Sequence, residues 1–560
     1  MFLLRLVIGG SVLFSSPLFA RDNDVAVLQS KCAAELTSLP STSTVSLQEK
    51  SFLFHNSELA ALASHGLNEN SLKEILQRLL QNGALDIPSD NAGFVTAADV
   101  GDHPGNYGLY VWLRDLARVY AGTTATVRLL KQMNADPAVL QKAIQMQHER
   151  GLALLKLLGD TWWTHQAWAN IQDPGMHLDP SKAQQSSIWV RRLAAPFRED
   201  RPPTHEEFGR ESDWGHRQND ALGSFALTIL EGLETDTIHA SELTAQARQN
   251  LILLSTYFVK LQYAQMWDMG AWEEQLARRT HSIGLVTSFL EKLLRMYPSE
   301  PGMDYEAIHE AISKAYELLN PRLTGDRLVE ADEGSYGSHR FEDTAISHLL
   351  WWPLERIDTA THLKIIAKLN GLKRESGYAR YDDDWFLYGP AEVAKHVAKM
   401  GLLGLFTVQR DDERVIASAD QIDRLVRLHA QHISDKDMRE VTEIAGSHLE
   451  AQWTLPDSIL SAYFSDLYIK DRKSEYLDKA KEHFIRALGL VTGASDMTSE
   501  GDVVKPYKLP EAYLPVPLMI NGEVKTVYFT SPNSPLNWST AEFTVAAEKL
   551  LRALSESTSH

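Results

Sequence analysis

Two adjacent carboxylates follow a tryptophan near the middle of the chain, in the stretch Gly270-Ala271-Trp272-Glu273-Glu274. An indole beside a carboxyl group supplies an apolar wall that keeps the group protonated near neutral pH, and a flat face for a sugar ring. Cleavage of a glycosidic bond typically uses two acidic side chains, one donating a proton to the leaving oxygen and one activating water or attacking directly. The stretch is therefore a candidate for acid catalysis, and the alternative is a solvated helix face.

A second acid with a possible catalytic role lies far along the chain, in Leu509-Pro510-Glu511-Ala512-Tyr513. Glu511 falls in the last long irregular stretch, before the final helical segment that follows Trp538. It is the candidate partner carboxylate, and the alternative is a solvated loop acid.

Three further motifs carry groups that could bind sugar hydroxyls. In the first, Trp112 precedes Arg114 and Asp115 at a predicted helix start, where Asp can accept and Arg can donate hydrogen bonds. Here the alternative is a helix-entry cap beside an arginine. In the second, residues 213–220, Trp214 stands among polar groups that are costly to bury without partners. That motif lies at a surface or lines a polar pocket.

The third motif, residues 377–387, places Arg380 between two tyrosines and ahead of three consecutive aspartates. Arg380 is either a hydroxyl-binding group or an arginine that anchors a loop. The aspartates are reminiscent of a metal-binding box, but the further acid of such a box is replaced by Phe386 and Leu387. We therefore expect no metal at this motif, and cleavage by two acidic side chains needs no organic cofactor.

Helical periodicity must position these groups, because apolar residues recur at helical spacing from about residue 70 onward. Ser71, Ser241, Asp457 and Ser474 are the predicted capping residues of their helices. The best short strand candidate is Glu523–Thr530. Irregular stretches are predicted over 159–215, 320–340 and 491–537. Periodicity alone leaves open a closed toroid, an open solenoid or stacked bundles.

Composition and charge exclude some partners. The 560 residues are 44% hydrophobic and 23% charged, with a formal net charge of -19. An acidic chain without dense Lys/Arg clusters argues against nucleic acid or an anionic membrane as the main partner. Residues 1–20 read as a signal peptide, so the mature chain is expected to be exported, to the periplasm or beyond the cell. Cys32, the only cysteine, permits no intramolecular disulfide.

Taken together and in this order, the motifs resemble those of the inverting glucoamylases, glycoside hydrolase family 15, and of the related domain in phosphorylase kinase regulatory subunits. The shared patterns are Trp-x-Arg-Asp, Trp-Gly-x-x-Gln-x-Asp, Trp-Glu-Glu, Arg-Tyr before an acidic aromatic loop, and Pro-Leu-x-Trp-Ser-x-Ala-Glu-Phe. They run from about residue 107 to residue 543.

The resemblance implies an all-α fold, an (α/α)6 barrel, formed by residues 21–560 as a single domain and a monomer. It implies a general acid at Glu273 and a general base at Glu511. The residues implied in substrate binding are Trp112, Arg114, Asp115, Trp214, Trp272, Glu274, Arg380 and Trp538. The expected activity is release of β-glucose from the non-reducing ends of α-1,4-linked glucans derived from starch or glycogen.

Two alternatives stay open. One is a catalytically silent carbohydrate-binding or regulatory barrel, as in the kinase relatives. The other is a hydrolase of the same fold that acts on an α-1,6-linked glucan or on trehalose. The sequence departs from the family pattern at Gly270, where the family often has Asp, and in the long spacing between Glu511 and Trp538.

Overall fold

Long α-helices form most of the chain that the computed structural model describes, which comprises residues 39–47, 49–90, 92–98, 106–175, 188–193, 216–334, 340–430 and 435–558. The α-helices are α1 (Ser57–Ala63), α2 (Glu69–Gln81), α3 (Leu113–Gln132), α4 (Pro137–Leu158), α5 (Thr161–Gln172), α6 (Asn219–Glu234), α7 (Ala245–Lys260), α8 (Thr280–Met296), α9 (Tyr305–Thr324), α10 (Thr359–Leu369), α11 (Gly389–Ala394), α12 (Ala419–Ala430), α13 (Asp435–Ala445), α14 (Leu455–Asp471), α15 (Ser474–Gly489) and α16 (Asn537–Thr558). The strands are β1 (Ser43–Leu47), β2 (Lys50–Phe54), β3 (Tyr110–Trp112), β4 (Arg191–Leu193), β5 (Ala277–Arg279), β6 (Ala331–Gly334), β7 (Lys373–Arg374), β8 (Gly377–Tyr378), β9 (Thr407–Arg410), β10 (Glu413–Ile416), β11 (Gln452–Trp453), β12 (Ala512–Ile520) and β13 (Glu523–Thr530).

An inner set of helical segments makes contacts in series. Helix α3 packs on α6, α6 on α8, α8 on the 3-10 helix Thr344–Leu350, that helix on α14, α14 on α16, and α16 on α3. The inner helices are buried around most of their circumference, and in α6 every residue from Asn219 to Leu230 is buried. A helix that is apolar on nearly all sides must lie inside a fold, and this explains the inner position of α6.

Outer helices cover this set with one apolar face each. Helix α4 packs on α3, α9 on α8 and α15 on α14. In α9 the buried face is formed by Ile308, Ile312, Ala315 and Leu319, which have the spacing of successive helical turns. The predicted helical stripe at these positions is therefore confirmed.

A five-stranded sheet in the order β13-β12-β11-β8-β7 departs from the all-α expectation. The predicted strand Glu523–Thr530 is confirmed as β13, and its partner β12 lies in the stretch expected to be irregular. The sequence did not predict β12, because Pro515 and Pro517 lie within it and prolines argue against a strand. Being two residues apart, they direct their missing amides to the same edge, which leaves the ladder with β13 intact.

Two other stretches that were expected to be irregular are partly helical. Helix α5 occupies 161–172, and α9 continues through Pro321 to Thr324. Conversely, a helix predicted over 390–404 is shorter than expected, because the structure has only the short helix α11 there, which ends at Ala394.

The predicted capping residues were wrong in their positions. Helix α2 is capped by Asn68, whose side chain accepts from the amide of Ser71, while the Ser71 hydroxyl accepts from the amide of Asn68. This reciprocal pair is a capping box, so Ser71 is its third helical residue. Helix α7 is capped by Thr244 and not by Ser241.

The same holds for the other two caps. Asp457 lies inside the first turn of α14, where it accepts hydrogen bonds from Arg486 and pairs with His483. Ser474 is the first residue of α15, and the preceding Lys473 gives no side-chain cap.

Some sequence expectations fall outside the described residues, namely those on residues 1–20, Cys32 and Trp214. Within the described ranges, no helix combines the length and the apolarity that crossing a membrane requires.

Candidate active site

The candidate site residues gather where the inner helices begin. Arg114 and Asp115 lie in the first turn of α3, Asp220 in the first turn of α6 and Trp538 in the first turn of α16. Glu273 and Glu274 belong to the loop that joins α7 to α8. Helix N-termini carry partial positive charge, and they therefore favour carboxylates at this end of the molecule.

The loop that carries the two glutamates is fixed at both ends. Asp268 and Ala277 exchange backbone hydrogen bonds of 2.8 and 2.9 Å, and the amide of Met269 donates to the carbonyl of Arg217. At the centre of the loop, the amide of Ala271 donates to Nε2 of His281, at 3.1 Å. These bonds hold the backbone beside Glu273 in one conformation.

The backbone of this loop requires Gly270 and strains Glu273. Gly270 has φ +65°, and a Cβ there would come within 2.4 Å of Cδ of Arg279. Both the positive φ and the close approach of the Arg279 side chain favour glycine at this position. Glu273 has φ +56°, a left-handed conformation that side chains other than Gly, Asn and Asp seldom adopt. Strain of this kind persists only where surrounding contacts fix it, and it clusters at functional sites.

Glu273 carries a raised pKa. Burial disfavours its charged form, and the charge of Asp115 adds to this, whereas Arg114 and Arg191 oppose it; together they place its pKa at about 6. The contact with Arg114 runs from Nη2 to Oε1, at 3.3 Å. Its side chain is 20% exposed, so this carboxyl can reach a ligand while keeping its proton in mildly acidic solution.

Glu274, although adjacent, is held as a carboxylate. Burial alone would raise its pKa, but Arg380, Arg340 and the hydroxyl of Tyr381 bring the pKa down to about 2. Arg340 contacts Oε2 at 2.5 Å, and Arg380 and Tyr381 each contact Oε1 at 2.7 Å. Two neighbouring glutamates therefore have opposite ionisation tendencies, because burial outweighs the nearby arginines at Glu273, whereas Glu274 is in direct contact with both Arg340 and Arg380.

Glu511 lies immediately before β12 and is 2% exposed. Nδ2 of Asn533 donates to its Oε2 at 3.0 Å. Burial raises the pKa of Glu511 to about 7, against the hydrogen bond from Asn533 and the charge of Arg380, and the charge of Glu273 adds to the rise.

Tyr107 connects the two candidate catalytic acids. Burial raises its pKa, and so do the charges of Glu511, Glu273 and Asp115, whereas Arg114 lowers it. Charges act on a group in this way only from short range in a screened medium. The charge of Glu273 also acts on Glu511, so the phenol and both acids lie within range of one another's charges and belong to one candidate site.

Arg114 organises the polar floor of the site. Its Nη1 donates to Oδ2 of Asp220 at 3.1 Å and to the side-chain oxygen of Gln218 at 3.2 Å. Its guanidinium also lies over the ring of Trp538, 4.9 Å from the centroid. Asp115 is buried beside it, and burial raises the pKa of Asp115 to about 6 against the charge of Arg114.

Aromatic rings form the walls. Trp112 packs against Tyr107 with ring centroids 5.3 Å apart. Trp272 packs against Trp453 at 5.2 Å, and its indole nitrogen donates to Oδ1 of Asp343 at 2.7 Å. This bond fixes the orientation of the indole next to the glutamate pair.

Arg380 is buried between two carboxylates. Its Nε and Nη2 make a two-pronged bond with Asp384 at 2.7 and 2.6 Å, and Nη2 also contacts Glu274. Asp384, the last of the three consecutive aspartates, is thereby engaged by an arginine. Among the described residues, no cluster of His, Cys, Asp or Glu could hold a metal ion.

The structure thus brings together Trp112, Arg114, Asp115, Trp272, Glu273, Glu274, Arg380, Glu511 and Trp538, while Trp214 lies outside the described residues. Sequence reasoning missed Tyr107, Arg340 and Asn533 as members of this site. Asp220 stood in a quoted motif, but nothing identified it as the partner of Arg114. Arg340 ends the irregular stretch 320–340, and that irregularity was the only signal for it.

The fold is mostly helical, and two carboxyl groups with raised pKa values, Glu273 and Glu511, interact within it. No model of a known protein family matches the chain, and no curated protein does. Solved structures of glycosidases are similar to it: one in complex with glucose has a TM-score of 0.47 at 14% identity, over 88% of this chain and 98% of its own.

Two glucoamylases are also similar. The glucoamylase from Saccharomycopsis fibuligera has a TM-score of 0.40 at 14% identity, over 87% of this chain and 95% of its own. A bacterial glucoamylase in complex with acarbose has a TM-score of 0.41 at 13% identity, over 86% and 56%. Similarity this low leaves the function to be argued from the geometry of the site.

Proposed function

We propose that this protein is an exported, inverting exo-glucosidase of the glucoamylase type. It hydrolyses terminal α-1,4-linked glucose from the non-reducing ends of starch- or glycogen-derived glucans and releases β-glucose. The observation that carries the proposal is the pair Glu273 and Glu511, two carboxyl groups whose charges both act on Tyr107 and whose pKa values are raised to about 6 and about 7.

In this mechanism Glu273 protonates the glycosidic oxygen, and Glu511 takes a proton from the water that attacks the opposite face of the ring. An inverting pair stands about 6.5–9.5 Å apart to leave room for that water. Because both pKa values lie near neutrality, the pair holds one proton between pH 6 and 7. The proton resides mostly on Glu511, so the productive form, with the proton on Glu273, is the minority form.

The remaining residues bind the terminal sugar. Asp115 and Glu274 accept hydrogen bonds from hydroxyl groups, and Arg114 donates to them. Two nitrogens of Arg380 are engaged by Asp384 and Glu274, which leaves Nη1 as the nitrogen for a sugar hydroxyl. Trp112, Trp272 and Trp538 offer apolar surface to the ring.

The fold is proposed to be an (α/α)6 barrel, formed by one domain. The serial contacts from α3 through α16 and back to α3, each inner helix being covered by an outer one, support it. The site lies where the inner helices begin, the end at which such a barrel opens into a pocket.

A proton NMR time course of the chain from Arg21 onward with maltoheptaose tests the proposal. We expect the anomeric signal of β-glucose first, before mutarotation. The Glu273→Gln variant is the control for glucose from a contaminant, since it must abolish the signal. Early α-glucose would overturn inversion. Absence of glucose would favour the catalytically silent barrel, or a barrel that acts on another linkage, and trehalose and an α-1,6-linked glucan would then be the next substrates.

A further inference from the structure

A second cavity opens among the same inner helices, beyond the turns that carry the candidate acids. Its walls come from one face each of α3, α6, α14 and α16, together with the end of the 3-10 helix Thr344–Leu350. On α3 the lining residues Arg118, Ala121, Ala125 and Arg128 recur every three or four positions, so they form one helical stripe. We name this space after a central residue, the Thr228 cavity.

Small side chains create the space. Ala121 and Ala125 on α3 and Ala462 on α14 line it where larger residues would fill the interior. The cavity offers about 80 Å³ to the centre of a water-sized sphere. One water takes about 10–15 Å³ on this measure, so the cavity holds about five to eight waters, the room of a small polar molecule.

A closed layer of paired side chains separates the cavity from the acids. Arg118 donates from Nε and Nη2 to the two oxygens of Glu542, at 2.6 and 3.1 Å, and lies over Trp351 at 4.2 Å. Trp538, on the other side of this layer, donates to Glu542 at 3.2 Å. The Thr228 cavity is therefore not a continuation of the site that contains Glu273.

Hydroxyl groups line the interior of the cavity. The Oγ1 of Thr228 is buried and has no hydrogen-bond partner among the described residues, although the residue is only 3% exposed. The hydroxyl of Tyr120 is also buried, and the side chains of Thr124 and Thr237 lie close to it. A buried hydroxyl without a partner is costly, and a ligand with its own hydroxyl groups removes that cost.

The charges around the cavity are balanced. Arg118, Arg128 and Lys549 stand against Glu231, Glu542 and Glu548 among the lining residues. Arg118 is neutralised by Glu542, and Lys549 contacts Asp466 at 2.5 Å. The surroundings therefore favour neither an anion nor a cation. The mouth lies at Glu231 and Thr235, which are exposed, so a ligand can enter from solvent.

From these observations we infer that the Thr228 cavity is a second binding site, for a neutral polyhydroxylated molecule of monosaccharide size. Thr228 and Tyr120 supply its hydrogen bonds, and Ala121 and Ala125 supply the apolar contacts that the carbon face of a sugar requires. A small concave space with largely apolar walls and a few polar groups is the general pattern of a small-molecule site. This inference does not depend on the activity of the chain.

Isothermal titration of D-glucose into four proteins tests it: the natural chain, Thr228→Val, Ala125→Leu and Thr126→Val. Valine removes the hydroxyl of Thr228 at nearly constant shape, and we expect about three- to tenfold weaker binding at this site. Leucine at Ala125 fills the space and should abolish the binding component. Thr126 lies on the same helix, outside the cavity, with its hydroxyl bonded to the carbonyl of Gly122, so its variant is the matched control.

Diffraction from crystals soaked in D-glucose locates the site. We expect sugar density within hydrogen-bond distance of Thr228 Oγ1 in the natural chain and none in Ala125→Leu. The inference is overturned if all four proteins bind glucose equally, or if inorganic phosphate occupies the cavity while glucose does not. Catalysis is not measured, so these results stand whether or not maltoheptaose is cleaved.

Discussion

The first turns of the inner helices line the candidate active site, whereas their middle turns line the Thr228 cavity, and the two spaces differ in character. At the first turns, Arg114 donates to Asp220 and to Gln218 within 3.2 Å, and the nearby carboxyl groups of Glu273 and Glu274 have strongly shifted pKa values. In the middle turns, alanines leave room, and the hydroxyl group of Thr228 has no hydrogen bond among the described residues.

The comparison shows how one scaffold can hold two sites. Helix N-termini stabilise carboxylates, so charge gathers where the helices begin. Further along the same helices this effect fades within a turn, and the size of each side chain decides whether space remains. The layer of Arg118 and Glu542 marks the boundary, because it is a fully paired ion pair with aromatic cover.

Removing the proton donor should give the largest effect. In Glu273→Gln the side chain keeps its shape and loses its acidity, so kcat for maltoheptaose is expected to fall by about 10²–10⁴-fold, with KM nearly unchanged. Steady-state kinetics measures this. The affinity of the Thr228 cavity for glucose should be unchanged, because the layer of Arg118 and Glu542 lies between Glu273 and the cavity. Glu523→Gln, an exposed position in β13, is the control. Turnover close to that of the natural chain would remove Glu273 from the acid role.

Displacing the loop that carries Glu273 and Glu274 should lower kcat by less than removing the proton donor does. In Gly270→Ala the added Cβ would meet the Arg279 side chain at 2.4 Å, and alanine disfavours φ +65°. We expect kcat to fall by about 10–100-fold, because a shift of about 1 Å at the reacting group costs this much.

A matched control for Gly270→Ala separates strain from displacement. Gly522 also has positive φ, +82°, but its Cβ would meet nothing within 4 Å. In Gly522→Ala, only the backbone strain of about 1 kcal/mol should appear, as a lower free energy of unfolding with unchanged kcat. Equal kinetic losses in both variants would show that the geometry of the loop around Gly270 has no special role.

The pH profile should move when Asn533 is replaced. The hydrogen bond from Asn533 favours the charged form of Glu511, so Asn533→Leu is expected to raise a pKa that is already about 7. With Glu273 at about 6, the profile of kcat/KM is a bell with limbs near 6 and 7. The alkaline limb should therefore move up, and the peak should fall because the productive form becomes rarer.

The direction of that shift identifies the order of the two pKa values. If Glu511 had the lower value, losing Asn533 would move the acidic limb instead, towards higher pH. Rates measured from pH 4 to 9 distinguish the two outcomes. Asn70→Leu, at an exposed position of α2, controls for replacing an asparagine by leucine.

How much the sequence could predict follows from the physics of each feature. Helices with long apolar stripes, such as α9, can be predicted from the sequence, because the helical spacing of their apolar residues is a local property. The partners of Arg114 and Glu274 come from residues more than 60 positions away, such as Asp220 and Arg340, and no local pattern carries such pairings. The sequence did not predict strand β12, because its prolines argue against a strand. Only the pairing of β12 with β13 shows that the missing amides of the prolines point away from this ladder.

The Thr228 cavity was beyond sequence reasoning for a related reason. Alanine at 121 and 125 is as good a helix former as any larger residue, so nothing local distinguishes a stripe that leaves space from one that packs. The same limit applies to buried hydroxyl groups, since whether Thr228 has a partner depends on helices distant in the chain.

The smallest expected effect is on the free energy of unfolding, and it comes from replacing a buried threonine whose hydroxyl has no partner. A buried threonine whose hydroxyl has a partner provides the comparison. Thr228 and Thr287 are both buried on inner helices, but the hydroxyl of Thr287 donates to the carbonyl of Ile283 and accepts from the hydroxyl of Tyr263 at 2.8 Å. Thr287→Val should therefore lower the free energy of unfolding by about 1–3 kcal/mol, because it also leaves Tyr263 unpaired.

Thr228→Val breaks no bond among the described residues, so the free energy of unfolding should stay constant or rise by up to about 1 kcal/mol in buffer without sugar. Urea denaturation of both variants and the natural chain measures the difference. Adding D-glucose should stabilise the natural chain more than Thr228→Val, because only the natural chain offers the ligand this hydroxyl. If both valine variants lose the same stability, then Thr228 is already satisfied, and the middle turns of the helices form a packed interior like the rest of the core.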